Sequence, residues 1–470
     1  MLDGRLAPGA RLPSTRALSA DLGLSRNVVV LAFEHLAAEG YVEGRPGSGT
    51  FVSRALPDAV PLRPLRAPTL AARGRVGAAL SAHAERVNAL APLPAPGARI
   101  RSGLTCDFRY GLPAVQDFPQ ALWARLMARR AGSLSVRTLG YGRSLGFGPL
   151  REAVADYVKR ARGVNATADR VVIVSGAQQA FDLIARLFID AGDRIVVEEP
   201  GYQDARQAFL AAGGRPVPVP VNASGIDVSR LPRRGRVRLA YVTPSHQFPL
   251  GGILPLARRL ELLHWADAVG AHVVEDDYDS EFRYEGNPVG AVQGLDLAGR
   301  VLYVGTFSKV LYPSLRIGYL VVPESLIGPV AGLKFLTDGH APTFEQEVLT
   351  DFITAGHFER HLRRSRARNA ARRAALLAAL DEALGEEATV SGENAGLHVV
   401  LWPRGLQSPQ LDTVQRLALD RGVGVYPVTP YYLRPPRRAG LMLGYACLTE
   451  QEIREGVAVL ADVLRAVTGR

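Results

Sequence analysis

From about Thr105 onward, short apolar segments alternate with longer segments of helical periodicity. The candidate strands are residues 170–175, 194–198, 238–243, 272–275, 301–305 and 318–322. Strands that alternate with helices favour an α/β fold with a mainly parallel sheet that is buried on both faces. The stretch from Phe344 begins with a long Arg-rich helix and ends in shorter mixed elements. We therefore predict that residues 105–470 form a large α/β sheet domain and a smaller C-terminal α+β subdomain.

Residues 1–54 have a different pattern, in which two short helices precede two short strands. Apolar residues recur at helical spacing in the second helix until Gly40, and residues 41–43 and 50–53 flank a Gly-rich loop. Ser14 and Ser25 are the predicted N-caps of the two helices, and Gly23 is the predicted end of the first. Residues 55–104 are rich in Pro, Ala and Arg, which predicts a linker with a helix near residues 76–90.

The composition excludes several classes of protein. With 47% hydrophobic and 21% charged residues, the chain is close to globular averages, which argues against a disordered or fibrous protein. It has no apolar stretch of the roughly 18 residues that a spanning helix needs, and its N-terminus lacks a signal segment. We therefore expect a cytoplasmic protein without a membrane partner. Cys106 and Cys447 are too few for a disulfide framework or a structural zinc site.

The formal net charge of +11 permits binding to nucleic acid or to acidic ligands. Lysine occurs only at positions 159, 309 and 334, so arginine supplies almost all of the basic residues. Any chemistry that needs a lysine amine is therefore easy to locate in this chain.

The N-terminal segment has the pattern of a DNA-binding helix-turn-helix. A helix, a tight turn and a second helix with a polar N-terminus fit the major groove, where the first turn of the second helix can reach phosphates and base edges. The alternative is a small helical domain with solvated arginines, because residues 1–54 contain six Arg against five acidic residues. The candidate DNA contacts are Arg16 on the first helix, Ser25, Arg26 and Asn27 on the second, and Arg45 and Ser48 in the Gly-rich loop.

Residues 6–52, from LAPGARLPSTRALSADLGLS to EGRPGSGTFV, resemble the winged helix-turn-helix of GntR-type transcription regulators over their whole length. One departure is that members of this family have a further helix ahead of residues 2–6, and this chain begins near the end of that helix. We therefore expect less packing under the recognition helix, with the DNA-contacting residues still in place.

The α/β domain has the residues that a pyridoxal phosphate site needs, which are an amine, an anion-binding cup, a carboxylate and a ring on which to stack. Lys309 follows the strand 301–305, where open α/β sheets bind ligands, and Arg316 lies seven residues further on. For any lysine alone, an exposed surface position is the usual alternative. Lys309, however, has hydroxyl residues beside it and an arginine after it, unlike the other two lysines.

Other strand ends supply the remaining parts. Residues 175–178 follow a strand and begin a helix, so their amides can bind an anion, although an ordinary strand-to-helix turn looks the same. Residues 275–278, Glu-Asp-Asp-Tyr, end another strand and offer a carboxylate for the pyridine nitrogen, with a magnesium site as the competing interpretation. Tyr278 can hydrogen-bond the phenolic oxygen. Tyr202 can stack on the ring or simply complete a turn.

Together the segments SGAQQA, EEPGY, TPSHQFPLG, EDDYDSEFRY and TFSKVLYPSLRIGY resemble the fold type I, or aspartate aminotransferase, family over about residues 105–470. With the GntR-type segment, the whole chain resembles the MocR subfamily of regulators. The resemblance implies that Lys309 binds the cofactor covalently, Asp276 faces the pyridine nitrogen, Tyr278 meets the phenolic oxygen and Tyr202 stacks on the ring. It also implies a phosphate site formed by Gly176, Ala177, Gln178, Ser308 and Arg316.

The same resemblance implies a homodimer, because Tyr141 matches a tyrosine that reaches the phosphate of the partner subunit. Either His246 or Gln247 replaces the asparagine that aminotransferases place beside the phenolic oxygen. Met442 stands where amino-acid aminotransferases and some regulators have an arginine that binds the substrate carboxylate in a bidentate manner. The candidate substitutes for that arginine are Arg206, Arg434, Arg437 and Arg438.

Two further patterns lack the features of a site. The glycines of residues 140–148 do not have dinucleotide-binding spacing, and His357 and His361 lack the glutamate of a zinc-protease motif. We expect no metal, and we interpret the arginines of residues 360–373 as a solvated helix face.

The leading hypothesis is a transcription regulator that binds operator DNA through its winged helix and uses a dimeric, aminotransferase-like domain to bind pyridoxal phosphate. Its effector is a small amino compound or the cofactor itself. The enzyme alternative is a metabolic aminotransferase with a vestigial DNA-binding segment. A third alternative is a DNA-binding protein whose large domain serves only for dimerisation. Met442 argues against full transamination, and Lys309 with its cofactor shell argues against the third alternative.

Overall fold

The structure is a computed structural model that describes residues 1, 5–57, 80–90, 103–286, 289–434, 436 and 438–469. The chain divides into two compact units, Met1–Ala79 and Leu80–Arg470. Most of the predicted linker, residues 58–79 and 91–102, lies outside the described residues, as do residues 2–4.

The first unit is a winged helix-turn-helix. Its elements are α1 (Thr15–Leu22), α2 (Arg26–Ala38), β1 (Val42–Arg45) and β2 (Gly49–Val52). The Ser14 hydroxyl accepts a hydrogen bond from Ala17 N, and Gly23 ends α1 at φ 65°, so both predicted signals are confirmed. Ser25 occupies the N-cap position of α2, but its side chain makes no capping hydrogen bond. The two strands pair antiparallel, and Leu12 joins them in a small core.

The second unit begins with α3 (Ala82–Ala89), which covers the C-terminal part of the helix predicted near residues 76–90. Arg86 Nε donates a hydrogen bond to the Ala211 carbonyl, so this helix lies against the large domain.

An eight-stranded sheet forms the centre of the large domain, in the order β4-β11-β10-β9-β8-β5-β6-β7. The pairs from β10 to β6 are parallel, whereas β11 lies antiparallel between β10 and β4. The six predicted strands are confirmed to within two residues at each end. The strands of this sheet are β4 (Val171–Val174), β5 (Arg194–Glu199), β6 (Arg215–Asn222), β7 (Gly225–Ile226), β8 (Val237–Val242), β9 (His272–Asp277), β10 (Val301–Thr306) and β11 (Gly318–Val321).

Helices cover both faces of this sheet, as a buried parallel sheet requires. Along β4, Val171 and Ile173 pack on one face while Val172 and Val174 pack on the other. The helices of this domain are α4 (Gln120–Ala131), α5 (Val136–Leu139), α6 (Gly148–Arg162), α7 (Ala177–Phe188), α8 (Gln203–Ala211), α9 (Leu256–Val269), α10 (Ile327–Asp338) and α11 (Thr343–Thr354).

The C-terminal part is an α+β subdomain, as predicted. A four-stranded antiparallel sheet in the order β12-β13-β16-β15 packs with three helices. The strand β3 (Cys106–Asp107) pairs with β14 (Val423–Gly424) and so ties the start of the unit to its end. The remaining elements are α12 (His357–Leu384), β12 (Ala388–Ser391), β13 (His398–Pro403), α13 (Leu411–Asp420), β15 (Tyr426–Pro427), β16 (Leu441–Gly444) and α14 (Glu450–Thr468). Among the described helices, none combines the length and the apolarity needed to cross a membrane.

Candidate functional site

A cavity of about 280 Å³ opens at the carboxyl ends of β4, β5, β8, β9 and β10. This edge is where ligands bind in open α/β sheets. Eight of the predicted cofactor residues line the cavity: Ala177, Gln178, Tyr202, Asp276, Tyr278, Ser308, Lys309 and Arg316. Three predicted cofactor residues, Gly176, His246 and Tyr141, are not part of the lining.

Lys309 projects into this cavity from the segment that follows β10. Its Nζ donates a hydrogen bond of 2.6 Å to the Gly111 carbonyl. Burial lowers the pKa of the Lys309 amine, and the carboxylates of Asp279 and Asp276 oppose this effect. Since only a neutral amine is a nucleophile, the lowered pKa favours reaction with a carbonyl carbon.

Asp276 is the carboxylate of β9 that faces the cavity. Its Oδ2 accepts a hydrogen bond of 2.6 Å from the Tyr241 hydroxyl, whereas its Oδ1 is buried and has no hydrogen-bond partner among the described residues. Burial raises the pKa of Asp276 to about 7, against the opposing hydrogen bond from Tyr241. A buried acceptor without a partner is costly, so this oxygen fits a ligand that presents an N–H donor.

The neighbouring carboxylates of β9 are directed elsewhere. Glu275 accepts hydrogen bonds from the backbone amides of Val292 and Gln293, and Asp277 pairs with Arg162 at 2.8 Å. Although burial acts to raise the pKa of Asp277, Arg162 holds it below its usual value. The end of β9 therefore presents one carboxylate, that of Asp276, to the cavity. In the part of the chain that the structure describes, no cluster of three metal-ligating side chains occurs.

An anion-binding cup lies at the N-terminus of α7. Gly176 has a φ of 85° there, and no side chain caps the helix, so its first amides face outward. The Arg316 guanidinium lies beside this turn, because its Nη2 donates a hydrogen bond of 2.7 Å to the Ser175 carbonyl. A Cβ atom on Gly176 would lie 3.0 Å from the same Nη2. The combination of helix N-terminus and guanidinium suits a phosphate group.

Tyr278 lines the cavity, and His246 lies behind it. His246 Nδ1 is 3.0 Å from Asp279 Oδ2 and 2.9 Å from the Tyr278 hydroxyl. Since a carboxylate can only accept, His246 Nδ1 bears the proton and donates it toward Asp279. The hydroxyl proton of Tyr278 is then available to an acceptor in the cavity.

Gln247 has a different role from its neighbour. Its side-chain amide donates to the Pro200 and Phe248 carbonyls and its oxygen accepts from Leu250 N, so it fixes the surrounding loops. The sequence left His246 and Gln247 as alternatives beside the phenolic oxygen. Of these two, His246 hydrogen-bonds Tyr278, although His246 does not itself line the cavity.

Several residues of the cavity escaped the sequence analysis. Asp204 is one of these lining residues. Its Oδ2 accepts a hydrogen bond of 2.9 Å from the predicted residue Tyr202, which lies at the N-cap of α8. Tyr110 also lines the cavity and hydrogen-bonds the hydroxyl of Tyr431. The available signals were the proximity of Asp204 to the EEPGY segment and of Tyr241 to the TPSHQFPLG segment, whereas Tyr110 lies far from these motifs along the chain. His398 is a further lining residue of this kind.

Met442 is fully buried in β16, opposite Val400 of β13. It belongs to an apolar cluster with Phe248 and Tyr431, next to the cavity. The three described candidates for a substitute arginine make other contacts: Arg206 donates to the Tyr431 carbonyl, Arg434 is exposed, and Arg438 stacks on Trp402. The fourth candidate, Arg437, lies outside the described residues.

Tyr141 is fully exposed on the surface of the large domain, at the edge of the His340 ring. Its side chain is therefore accessible to another subunit.

The six candidate DNA contacts are all exposed: Arg16, Ser25, Arg26, Asn27, Arg45 and Ser48. Ser25, Arg26 and Asn27 lie at the first turn of α2, where the structure leaves the helix amides uncapped by side chains. Arg45 ends β1 beside the loop that carries Ser48, and its guanidinium lies 4.8 Å from the centroid of the Phe51 ring. Polar side chains at a helix N-terminus and a basic loop on a hairpin are the two elements by which a winged helix contacts DNA.

Comparison with known families and proteins is consistent with both parts of the chain. Residues 119–460 match the family model for aminotransferase class I and II, and residues 1–52 match that for bacterial regulatory proteins of the gntR family. The probable rhizopine catabolism regulatory protein MocR of Rhizobium meliloti is 38% identical, over 99% of this chain and 92% of its own length. The pyridoxine biosynthesis transcriptional regulator PdxR of Corynebacterium glutamicum is 30% identical, over 98% of this chain and 92% of its own.

Solved aminotransferases share the fold of the second unit. The α-aminoadipate aminotransferase LysN of Thermus thermophilus, crystallised with N-(5'-phosphopyridoxyl)-L-leucine, has a TM-score of 0.74 and 30% identity, over 83% of this chain and 98% of its own. Kynurenine aminotransferase of Pyrococcus horikoshii has a TM-score of 0.72 and 31% identity, over 78% of this chain and 92% of its own. The chain therefore belongs to the MocR subfamily of GntR regulators, HTH-type transcriptional regulators in which a GntR DNA-binding domain is fused to a fold type I domain of aminotransferase class I and II.

Proposed function

We propose that this regulator binds pyridoxal 5'-phosphate in the cavity around Lys309 and that occupancy of this cavity by a small amine controls its binding to operator DNA. The observation that carries the proposal is the buried, unpartnered Oδ1 of Asp276 in the same cavity as the amine of Lys309. A protonated pyridine nitrogen supplies the donor that this oxygen lacks. The aminotransferase fold also implies dependence on this cofactor.

Each part of the cofactor has a partner in this arrangement. The first amides of α7 with Arg316 and Ser308 would hold the phosphate, and Tyr202 would lie against the ring. Asp276 would keep a proton on the pyridine nitrogen, and Tyr278 would donate to the phenolic oxygen. When bound, the cofactor supplies an electrophilic carbon to which amines bind covalently. Lys309 provides the amine of the protein for this carbon, and burial lowers the pKa of that amine and so favours its reactive, neutral form.

The DNA-binding function belongs to the first unit. We propose that the side chains at the first turn of α2 contact base edges and phosphates, while Arg16, Arg45 and Ser48 contact the backbone or the adjacent groove. We also propose a homodimer in which Tyr141 completes the partner's phosphate site, because its side chain is fully exposed. Two winged helices would then bind two half-sites, since a single one buries too little surface for tight specific binding.

The enzyme alternative, a metabolic aminotransferase with a vestigial DNA-binding segment, has less support. Relatives that match 97–99% of this chain are named as regulators, whereas the aromatic-amino-acid and 2-aminoadipate aminotransferases match 76–77% of it. Met442 also removes the usual anchor for a substrate carboxylate.

One experiment tests cofactor and operator together. The purified protein should absorb visible light as a cofactor adduct, and Lys309→Ala should abolish this band, whereas Lys159→Ala, at an exposed lysine of α6, should retain it. A gel-shift titration then compares the protein's own upstream DNA with random DNA at matched salt, with and without added amines. A Lys309→Ala variant that keeps the wild-type band contradicts the cofactor site, and equal affinity for both DNAs contradicts the operator-binding function.

A further inference from the structure

The charge of the cavity wall restricts which amines can bind. Among the described residues that line the cavity, the cationic side chains are Lys309 and Arg316, and Arg316 lies at the anion-binding cup. The remaining charged residues of the lining are three carboxylates, those of Asp204, Asp276 and Asp279. Burial lowers the pKa of His398 to about 3, so this lining residue is neutral. Away from the cup, the wall is therefore acidic.

Asp204 is the lining carboxylate whose Oδ2 accepts from a neutral hydroxyl, that of Tyr202, at 2.9 Å. Asp276 is buried under the sheet edge beside Tyr241, and Asp279 is occupied by His246. Asp204 lines the same cavity as Lys309 and Tyr110, and the Tyr110 hydroxyl hydrogen-bonds that of Tyr431. Burial lowers the pKa of Lys309, and the charge of Asp204 acts to raise it. Burial raises the pKa of Tyr110 and of Tyr431, and the charge of Asp204 acts in the same direction.

Of the four candidate arginines, the three that the structure describes contact other groups or solvent, and Arg437 lies outside the described residues. Arg206 is buried and donates to the Tyr431 carbonyl, and Arg438 donates to Thr389 Oγ1 while it stacks on Trp402. Met442 occupies the position of the usual arginine and belongs to an apolar cluster with Phe248 and Val400. With the described residues alone, a ligand carboxylate at this end would therefore lose its hydration without gaining an arginine partner, and it would approach the carboxylate of Asp204.

We propose that this cavity selects a small primary amine that carries no carboxylate and whose far end is a hydrogen-bond donor, a hydroxyl or ammonium group, which Asp204 accepts. This inference rests on the proposed function, in which the amine binds beside Lys309. The hydroxyl of Tyr110, which also lines the cavity, adds a polar partner for the same end of the ligand. Selectivity against amino acids then comes from an unpaired and repelled carboxylate, which is a common means of excluding a near-isosteric competitor.

The test compares three amines of equal chain length: 1,4-diaminobutane, 4-aminobutan-1-ol and 4-aminobutanoate. Each is titrated into the full-length, cofactor-loaded protein, with calorimetry and the visible spectrum as readouts. The diamine and the amino alcohol should bind at least about tenfold more tightly than the amino acid. Asp204→Asn should reduce the preference for the diamine by about tenfold, and Asp204→Arg should reverse the order. Asp182→Asn, at an exposed carboxylate of α7, is the matched control and should leave the order unchanged.

The inference is overturned if 4-aminobutanoate binds as tightly as the diamine, if Asp204→Asn leaves the ratio unchanged, or if neither carboxylate-free amine binds at millimolar concentration. A failure of the proposed function looks different. In that case the protein without added amine would lack the cofactor band or would not distinguish its upstream DNA from random DNA.

Discussion

Tyr241 donates a hydrogen bond of 2.6 Å to Asp276 Oδ2, whereas Oδ1 of the same carboxylate, at the wall of the cavity, has no hydrogen-bond partner among the described residues. The two residues lie on the neighbouring parallel strands β8 and β9, so the sheet itself fixes their distance. The arrangement orients the carboxylate before any ligand binds. It also leaves a buried carboxyl group whose pKa is raised to about 7 by burial.

Replacement of Asp276 should change the stability of the cofactor-free protein and the affinity for the cofactor in opposite directions. Since burial raises the pKa of Asp276 from 3.8 to about 7, its protonated form suits the fold. The contribution of this group to stability is therefore complete below about pH 4 and is lost as the pH rises through about 7. Asp276→Asn, which resembles the protonated form, should raise the free energy of unfolding of the cofactor-free protein at about pH 8 by on the order of 1–3 kcal/mol. It should also weaken cofactor binding.

Urea unfolding of the cofactor-free variant at acidic and alkaline pH measures this effect. The difference between variant and wild type should vanish near pH 4, and Asp182→Asn should show little difference at either pH. A stability gain that does not depend on pH would mean that the charge of Asp276 is not its cause.

The glycine of the anion-binding cup should be sensitive to a single added methyl group. At Gly176, alanine is strained by the φ of 85°, and its Cβ would also press on the Arg316 guanidinium. We expect Gly176→Ala to cost about 1 kcal/mol of stability and to weaken cofactor binding by tenfold or more. Gly163→Ala is the control, because Gly163 has a φ of 66° and nothing within 4 Å of the added carbon. If Gly176→Ala binds the cofactor as tightly as Gly163→Ala does, the cup at Gly176 and Arg316 is not the phosphate site.

Tyr141 provides a test of the shared site in a homodimer. If it completes the partner's phosphate site, Lys309→Ala and Tyr141→Ala protomers should complement each other when they are unfolded and refolded together. One of the two sites in a mixed dimer then contains both native residues, so the visible band should return to a fraction of the dimers. No recovery, in mixed dimers that form normally, would place Tyr141 outside the partner's site.

Variants of the DNA-binding unit should fall into two groups. Arg26→Ala and Arg45→Ala should weaken binding to all sequences and lower the salt dependence by about one counterion each. Asn27→Ala should relax sequence preference at one base position, by about 1–3 kcal/mol. Gel-shift titrations over a range of salt measure both effects, with Arg454→Ala, at an exposed arginine of α14, as the control. An Asn27→Ala variant that weakens all sequences equally would place this residue on the backbone.

Turnover of ordinary amino acids should be slow. The usual anchor for the substrate carboxylate is absent at Met442, and correct orientation of the reacting carbon contributes several kcal/mol to catalysis. Assays for the keto acid product with common amino acids should therefore give rates far below the roughly 10 per second that is typical of enzymes. Rates at that level would support the aminotransferase alternative instead.

Six of the eight strands of the large sheet and the positions of the proposed cofactor residues were predictable from the sequence, because both depend on local patterns. Each of these six strands is a short apolar run, and Ala177, Tyr202, Asp276 and Lys309 all follow or end such runs, whereas β6, with three prolines, and the two-residue β7 were not predicted. Parallel strands bring their carboxyl ends to one edge of a sheet, so residues far apart along the chain meet there.

The remaining parts of the site depend on packing between distant segments. Tyr110 follows a two-residue strand whose partner, β14, is formed near the other end of the chain, and no periodicity indicates that pairing. Tyr241 is an apolar strand position by its pattern, and its role becomes visible only through its distance to Asp276. The position of His246 behind Tyr278 similarly depends on how the loop after β8 meets the end of β9.

The methionine of β16 has a consequence for the timescale of signalling. An enzyme that holds its substrate by both ends converts it and loses the information that the substrate was present. In the proposed site, the apolar residue at position 442 offers no anchor for a carboxylate beside the reacting carbon, so this carbon is not forced into one orientation. A ligand that is not converted leaves unchanged, so the occupancy of the proposed site follows the concentration of the ligand in both directions. The protein would therefore respond to a fall in the ligand concentration as well as to a rise.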